Sequence, residues 1–181
     1  MDEKKRYEKE DAYRTLEIVN SWISNVDAKI SYGLTFISVL MGFIFVHGLP
    51  RAFTKASNVH ASQITVIQLI GMLIGIVLVV CLYISSFVSI ICFMRAIKAK
   101  VNNDNNSNSF FFFGTIAGME LDIYRTNSRK LNEDEILEDL CEQIHTNSKI
   151  CSKKIKSYNR GLKCLFITVI LWFVCMVFRL I

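Results

Sequence analysis

Thirty-one consecutive residues, from Ile64 to Met94, include no Lys, Arg, Asp or Glu. About 20 apolar helical residues are enough to cross the hydrocarbon core of a bilayer. The segment is too long for a buried helix in a soluble domain of 181 residues. It therefore predicts a membrane-spanning helix, and any function of the chain must operate at a membrane.

Two further uncharged segments predict two more spans. They are residues 30–49 and 164–178, and each is flanked on both sides by a basic residue. Backbone polar groups find no water partner in lipid, so each span is expected to be an α-helix. Hydrophobic residues make up 52% of the chain, which is typical of a membrane protein, and the parts outside the predicted spans are too small for a separate large enzyme domain.

The basic residues predict the topology. Six Lys and Arg residues lie in 1–29, two in 49–63, twelve in 95–163 and one beyond. The positive-inside rule then places the N-terminus and the 95–163 segment in the cytoplasm, with the C-terminus outside. This topology and nearby anionic lipid explain the net charge of +5, so no nucleic acid polymer is expected as a partner.

Charge, apolar runs and turn residues divide the chain into six predicted segments. These are a cytoplasmic amphipathic helix (1–29), transmembrane helix 1 (30–49), an outer loop (50–63), transmembrane helix 2 with a cytoplasmic extension (64–94), a cytoplasmic helical sensor region (95–163) and transmembrane helix 3 (164–181). The expected fold is an all-α membrane protein, in which three transmembrane helices are continuous with a cytoplasmic helical bundle.

The N-terminal helix is predicted by apolar residues that alternate in steps of four and three. They are Ala12, Leu16, Val19, Ile23, Val26 and Ile30. Because neither Pro nor Gly interrupts the passage into the first span, the two are expected to form one helix, which Pro50 closes at Gly48-Leu49.

The predicted sensor region begins with a polar loop at 102–109, followed by a short helix near 116–128. Asn132, with Glu135 three residues later, fits the capping box of a final helix. That helix is expected to continue into the third span, with Gly161 as its one weak position.

No catalytic or metal-binding motif occurs in the chain. A nucleophile elbow, a Walker loop and HExxH are all absent. Cys141, His145 and Cys151 have no evident fourth partner, so packing is favoured over metal binding. We expect no enzyme activity, no metal and no resident cofactor. Six scattered cysteines without a CxxC pair also predict no disulfide framework.

Small residues line one face of the first span and form a GxxxG pair in the second. They are Ser31, Thr35, Ser38, Gly42, Gly71 and Gly75. Such residues let helices approach closely, and this packing role is favoured over a pore lining because the spans contain no charged residue. Since three helices of one chain cannot enclose a useful pore, the chain is expected to form a homo-oligomer through its spans.

Two groups of residues near the predicted cytoplasmic face of the membrane are candidates for ligand binding. The first is the run Phe110–Phe113 with Gly114, which physics alone favours as a hydrophobic plug. The alternative is a base-stacking wall, beside which Gly114 lets a phosphate approach backbone N–H groups. The second group is Trp22, Asp27 and Lys29, although Trp and Lys are also typical interfacial anchors.

Three motifs in the chain resemble those of the transmembrane effectors of the Pycsar family. Asn20-Ser-Trp22-Ile23-x-x-x-Asp27-Ala28-Lys29 is similar to the N-x-W-I-x-x-x-D-x-K signature that opens these effectors, Phe112-Phe113-Gly114 to their F-F-G element, and Asp139-Leu140-x-x-Gln143-Ile144 to their D-L-x-x-Q-I segment. Their order and spacing agree over roughly residues 16–175, which is most of the chain. Relatives of the family also occur in CBASS-type operons.

The resemblance implies an antiphage effector of the bacterial inner membrane. A cyclase or nucleotidyltransferase makes a cyclic nucleotide on infection, and the effector senses it, impairs the membrane and causes abortive infection. The expected ligand-binding residues are Trp22, Asp27, Lys29, Phe113 and Gly114. The alternative is a non-signalling membrane scaffold that recruits a cytoplasmic partner through its bundle. A cyclase gene next door would favour the effector.

The distribution of basic residues yields a first prediction, on topology. A reporter enzyme that is active only in the cytoplasm should be inactive when fused after Ile181 and active when fused before Met1, because basic residues stay on the cytoplasmic side. Reporter activity in whole cells measures both fusions. An active fusion at Ile181 would contradict the three-span arrangement.

Overall fold

The computed structural model describes residues 7–46, 65–98 and 109–181, and within these ranges it contains helices but no strand. The helices are α1 (Lys9–Phe45), α2 (Val66–Ile97), α3 (Phe113–Gly118), α4 (Leu121–Ser128) and α5 (Glu133–Val177). Among the described residues, α1, α2 and α5 are long and apolar enough to cross a membrane. The predicted all-α membrane fold with three spanning helices is confirmed.

The outer loop 50–63, with Pro50 at its start, and the polar loop 102–109 apart from Ser109 lie outside the described residues. The expectation that extramembrane helices continue into the spans is confirmed for α1, with 37 residues, and for α5, with 45 residues. The positions at which these helices enter the bilayer stay predictions.

The chain forms two compact units. The polar unit comprises Met1–Val26 and Ala99–Lys154, and the membrane unit comprises Asp27–Lys98 and Ile155–Ile181. In the described residues, the polar unit therefore contains the first part of α1, all of α3 and α4, and the first part of α5. The membrane unit contains α2 and the remaining parts of α1 and α5.

The apolar stripe predicted on α1 is the buried face of this helix. Ala12, Val19, Val26 and Ile30 are buried, and the other two predicted positions are half-buried. The same spacing continues through Ile37, Leu40 and Ile44, all buried. Because the steps of four and three persist along the whole helix, one heptad pattern orients both parts of α1.

The predicted capping box at the start of α5 is also present. The backbone N–H of Glu135 donates to Asn132 Oδ1 at 2.8 Å, and the backbone N–H of Asn132 donates to Glu135 Oε2 at 2.9 Å. Each side chain thus satisfies a backbone donor that the first turn of a helix leaves without a partner. This reciprocal pair sets the point at which the long helix begins.

The single helix expected near 116–128 is wrong in detail. The structure has two helices here, α3 and α4, and Met119 and Glu120 between them are extended with ψ of 145° and 144°. Gly114 and Gly118 both lie in α3, and each glycine costs a helix about 1 kcal/mol relative to alanine. So weak a helix ends after six residues, before the more polar α4 begins.

Small and apolar residues form the buried face of α2 in alternating steps of four and three. They are Gly75, Val79, Leu82, Ser86, Ser89, Phe93 and Ala96. The buried hydroxyls are hydrogen-bonded: Ser89 donates to the carbonyl of Gly161 at 2.9 Å, and Ser86 to the carbonyl of Leu82 at 2.7 Å. Thr168 of α5 donates to Ser85 at 3.0 Å. The small residues of this helix face therefore serve packing within the chain.

Gly75 lies against the C-terminal residues rather than on an open face. α5 ends in a Schellman motif, in which Leu180 N–H donates to the carbonyl of Cys175 at 2.9 Å and Arg179 adopts a left-handed φ of 50°. This turn brings Leu180 to α2, where its Cδ2 atom lies 3.1 Å from the position of a Cβ on Gly75. Gly71, four residues earlier, has open space instead.

Phe93 is the central packing residue of the membrane unit. Its ring is completely buried, and a Cβ on Gly33 of α1 would lie 2.8 Å from Cζ of this ring. A Cβ on Gly161 of α5 would lie 2.9 Å from Cδ1 and Cε1. Both distances are too short for carbon atoms in contact. The ring of Phe93 therefore fills the space that two glycines leave, one on each neighbouring helix.

Gly161→Ala should lower stability, although alanine ordinarily favours a helix over glycine by about 1 kcal/mol. The new methyl group would meet the Phe93 ring at 2.9 Å. Overpacking a filled core costs about 1–3 kcal/mol, which outweighs the gain in helix propensity. The change is measured by thermal unfolding in detergent, with the loss of the helical circular dichroism signal as the readout.

Gly71→Ala is the matched control, because Gly71 is an exposed helical glycine with no atom within 4 Å of its Cβ position. This variant should be as stable as the wild type or more stable. Adding Phe93→Leu to Gly161→Ala should restore part of the loss, since the smaller side chain makes room for the methyl group. Equal stability of Gly161→Ala and Gly71→Ala would contradict this packing account.

Candidate functional site

The two long helical segments of the polar unit are joined by polar contacts. Lys9 Nζ of α1 donates to Glu133 Oε1 of α5 at 2.6 Å, and Asn147 Nδ2 of α5 donates to Asn20 Oδ1 of α1 at 2.9 Å. The hydrogen bond raises the pKa of Lys9 and lowers the pKa of Glu133. Both contacts are exposed, so they contribute little to stability and mainly align the two segments.

The four consecutive Phe residues have different surroundings. The ring of Phe110 packs near Tyr124, with 6.3 Å between centroids, and Phe111 meets Tyr13 of α1 edge to face at 5.9 Å. Phe112 lies beside Phe113 at 4.8 Å. Phe113 itself is 70% exposed. Phe110 and Phe111 thus make packing contacts as a plug would, whereas Phe113 presents an aromatic face to its surroundings.

Three polar side chains anchor the start of this aromatic run. The backbone N–H of Phe110 donates to Asp139 Oδ2 at 2.7 Å, and Gln143 Nε2 donates to Ser109 Oγ at 2.9 Å. Ser109 Oγ also accepts the backbone N–H of Phe111 at 3.2 Å. Asp139 and Gln143 lie one turn apart on α5, so a single face of this helix holds Ser109 and Phe110, at the start of the aromatic run.

The predicted ligand-binding residues are divided between the two units. Trp22, Phe113 and Gly114 belong to the polar unit, and Asp27 and Lys29 belong to the membrane unit. Trp22 is 58% exposed and Lys29 is exposed, whereas Asp27 is half-buried. The assignment of these five residues to one nucleotide site stays a prediction.

Gly114 has a packing role. A Cβ at this position would lie 2.6 Å from Cε1 of Phe112, so any larger residue would displace that ring. The ring of Phe112 is half-buried and lies next to the exposed ring of Phe113. Gly114 therefore helps to set the orientation of the aromatic pair, whether or not a phosphate approaches it.

Two cavities lined by described residues of the polar unit are acidic. One, of about 180 Å³, is lined by Glu135, Glu138, Asp139 and Glu142 together with Ser109, Phe110 and Leu131. The other, of about 370 Å³, is lined by Glu8, Glu10, Glu133 and Asp134 together with Tyr7, Lys9 and Leu137. Because these carboxylates repel an anion, neither cavity is suited to a phosphate group.

Sequence reasoning missed the anchoring role of Ser109, Asp139 and Gln143. The Asp139 and Gln143 pair was visible as a motif, and its spacing of four places both side chains on one helix face. The partner segment was not visible, because only the folded chain brings Ser109 and Phe110 to that face. In the described part of the chain, no cluster of His, Cys, Asp and Glu is suited to a metal ion.

Comparison with known proteins identifies two likenesses. Residues 11–181 match the sequence profile of the Pycsar effector protein domain. The chain is also 28% identical over 176 residues to the Pycsar effector protein GmPycTM of Gulbenkiania mobilis, an alignment that covers 92% of this chain and 90% of that protein. No solved structure matches the chain.

Proposed function

We propose that this chain, which belongs to the Pycsar effector family and is an antiphage defence effector of the membrane, senses a cyclic nucleotide and then impairs the bacterial inner membrane. A cyclase or nucleotidyltransferase would make the nucleotide on infection. Damage to the membrane would stop the cell before phage matures, which is abortive infection. In this scheme the chain is a ligand-gated effector and catalyses no reaction.

The observation that carries the sensing proposal is the exposure of two aromatic side chains in the polar unit. Trp22 and Phe113 are 58% and 70% exposed, while Phe110 and Phe111, earlier in the same run, are engaged with tyrosines. An exposed aromatic face can stack on a nucleobase, which is worth about 1–3 kcal/mol per base. The two acidic cavities lined by described residues are unsuited to phosphate, and the exposed rings favour a nucleotide site at the surface of the unit.

Two unbroken helices support the proposed transmission of the signal. α1 and α5 each contribute one part to the polar unit and another to the membrane unit. A nucleotide that binds one arrangement of the polar unit more tightly shifts the population toward that arrangement. Because a helix is stiff, a shift or rotation of its extramembrane part moves the part that crosses the bilayer.

We further propose that membrane damage requires several copies of the chain. The core of the membrane unit is filled by buried residues such as Phe93, Ser86 and Thr168. The described residues of one chain thus enclose packed side chains where a channel would have to be. On α2, Gly75 already packs against Leu180 of the same chain. We therefore propose that copies of the chain contact each other through α1, where Ser31, Ser38 and Gly42 are exposed.

The proposed contact face is suited to a second helix. Ser31, Thr35 and Ser38 each donate to the carbonyl four residues earlier in α1, at 2.8–3.0 Å. No hydroxyl on this face is left unsatisfied in lipid, and a Cβ on Gly42 would have no atom within 4 Å. Another helix could therefore approach closely without a cost in broken hydrogen bonds.

Phe113→Ala and Trp22→Ala should weaken the response to a cyclic nucleotide about five- to 150-fold, which is the equivalent of losing one stacking contact of about 1–3 kcal/mol. Lys29→Ala should lower the affinity for the nucleotide about ten- to hundredfold if this cation binds the phosphate. The measurement is thermal stability of the purified protein against increasing cyclic AMP, GMP, CMP and UMP, because a ligand of the folded state raises stability.

Leu121→Ala is the matched control, since Leu121 is a 61% exposed apolar residue in the same unit but is not aromatic. It should respond at the wild-type nucleotide concentration. A wild type that no cyclic nucleotide stabilises would refute the sensing proposal. If the wild type responds and the three variants respond equally well, the site lies elsewhere and these residues only anchor or pack.

Gly42→Leu should reduce self-association, because a large side chain would fill the open space on the proposed contact face. Molecular mass in mild detergent, measured by light scattering, reports the change. Phe36→Leu is the control, since Phe36 is 52% exposed and lies about 120° around α1 from Gly42. A wild type that is monomeric in detergent and still toxic in cells would rule out assembly through the spans.

A further inference from the structure

The hydrogen bonds of Ser109, Phe110, Asp139 and Gln143 form a group that we call the clamp. Asp139 Oδ2 accepts the backbone N–H of Phe110 at 2.7 Å, and Ser109 Oγ accepts Gln143 Nε2 at 2.9 Å. The first bond has a carboxylate as acceptor, so it is charge-assisted and stronger than a bond between neutral groups. Together the two bonds join residues 109 and 110 to one face of α5.

The clamp lies inside the polar unit. Ser109 is 2% exposed and Gln143 is 6% exposed. Water therefore cannot readily replace either partner when the bond breaks, and an unpaired buried group is costly. Gln143 also lies three residues after the fully buried Leu140 and eight before the buried Cys151, at a core position of α5. An apolar residue would pack there, so the polar side chain is explained by its bond to Ser109.

The clamp fixes the segment that presents the exposed ring. Phe110 is adjacent to Phe111, which contacts Tyr13 of α1 at 5.9 Å, and the run continues to Phe112 and Phe113. Releasing residues 109 and 110 would remove the tie between this run and α5. The direction in which Phe113 points therefore depends on two side chains that do not touch it.

Asp139 is not suited to contact a nucleotide phosphate. One of its oxygens, Oδ2, is already bonded to Phe110, and Oδ1 is buried without a hydrogen-bond partner among the described residues. The cavity next to Asp139 is also lined by Glu135, Glu138 and Glu142. These carboxylates would repel a phosphate that carries the same sign of charge.

We infer that Asp139 and Gln143 are positioning residues for nucleotide sensing, which act by clamping Ser109 and Phe110 so that Phe113 is held in its ligand-binding orientation. The inference rests on the proposed function. It gives the Phe112-Phe113-Gly114 and Asp139-x-x-x-Gln143 motifs one shared purpose: the second motif holds the first in place.

The shape of Asp139 and its charge can be separated by substitution. Asp139→Asn retains an oxygen that can accept the Phe110 N–H, and it replaces the unpaired Oδ1 by an amide. Asp139→Leu has a similar volume but no acceptor. A positioning role therefore predicts a wild-type response within about threefold for Asp139→Asn. For Asp139→Leu and Gln143→Leu it predicts that the half-maximal nucleotide concentration rises tenfold or more.

The experiment combines two measurements on the full-length protein in detergent. The first is the thermal-stability titration with cyclic AMP, GMP, CMP and UMP. The second is hydrogen exchange of the peptide that contains Phe110 and Phe111, without nucleotide. Asp139→Leu should speed exchange of these amides about tenfold or more, whereas Asp139→Asn should not. Glu138→Leu is the control, because it removes a neighbouring exposed carboxylate of the same cavity that is outside the clamp.

A double substitution tests the second bond. Ser109→Ala combined with Gln143→Leu should impair the response no more than the worse single change, because each single change already breaks the same bond. Additive losses would overturn the clamp.

The remaining outcomes separate this inference from the proposed function. If Asp139→Asn loses the response as fully as Asp139→Leu, the charge itself meets the ligand and a positioning role is wrong. If Asp139→Leu speeds exchange but responds at the wild-type concentration, clamping is real but irrelevant to sensing, and the inference is overturned. A wild type that responds to no cyclic nucleotide refutes the proposed function, and the inference with it.

Discussion

The insertion of Phe93 between two glycines determines how the membrane unit is assembled. The ring occupies space that exists only because Gly33 and Gly161 have no side chain. Ser89, one turn before Phe93 on α2, donates to the carbonyl of Gly161. In lipid there is no hydrophobic force to draw helices together, so close packing and hydrogen bonds between helices must do so. One large residue on α2 therefore sets the distance to both neighbouring helices, and Ser89 fixes the register against one of them.

The surfaces that the chain packs internally and those that it leaves exposed have different roles in the proposed function. Within the described residues, α2 uses most of its small residues to pack against its own chain, whereas Ser31, Ser38 and Gly42 of α1 stay exposed. In the polar unit, Phe110 and Phe111 make packing contacts while Phe113 remains exposed. Surfaces that the chain leaves uncovered are the ones available for a ligand or for a second copy.

Much of the fold could be predicted from the sequence, because its signals are local or periodic. The uncharged runs, the heptad of α1 and the capping box at Asn132 each depend on neighbours within a few residues, and all are present in the structure. The break at Met119 was missed, since tertiary context decides whether a short glycine-containing segment forms one helix or two. The roles of Trp22 and Lys29 remain predictions, because anchoring and ligand binding favour the same residue types.

The sequence by itself determined that the chain is helical, that it crosses a membrane three times, and which faces of its long helices are apolar, because helical period and bilayer thickness act on each segment separately. Only the tertiary structure decided that Phe93 meets Gly33 and Gly161, and that Asp139 and Gln143 hold residues 109 and 110. Those pairings join residues that lie far apart in the chain. Shape and hydrogen-bond geometry select them once the helices pack, and no local pattern specifies which partner each residue will meet.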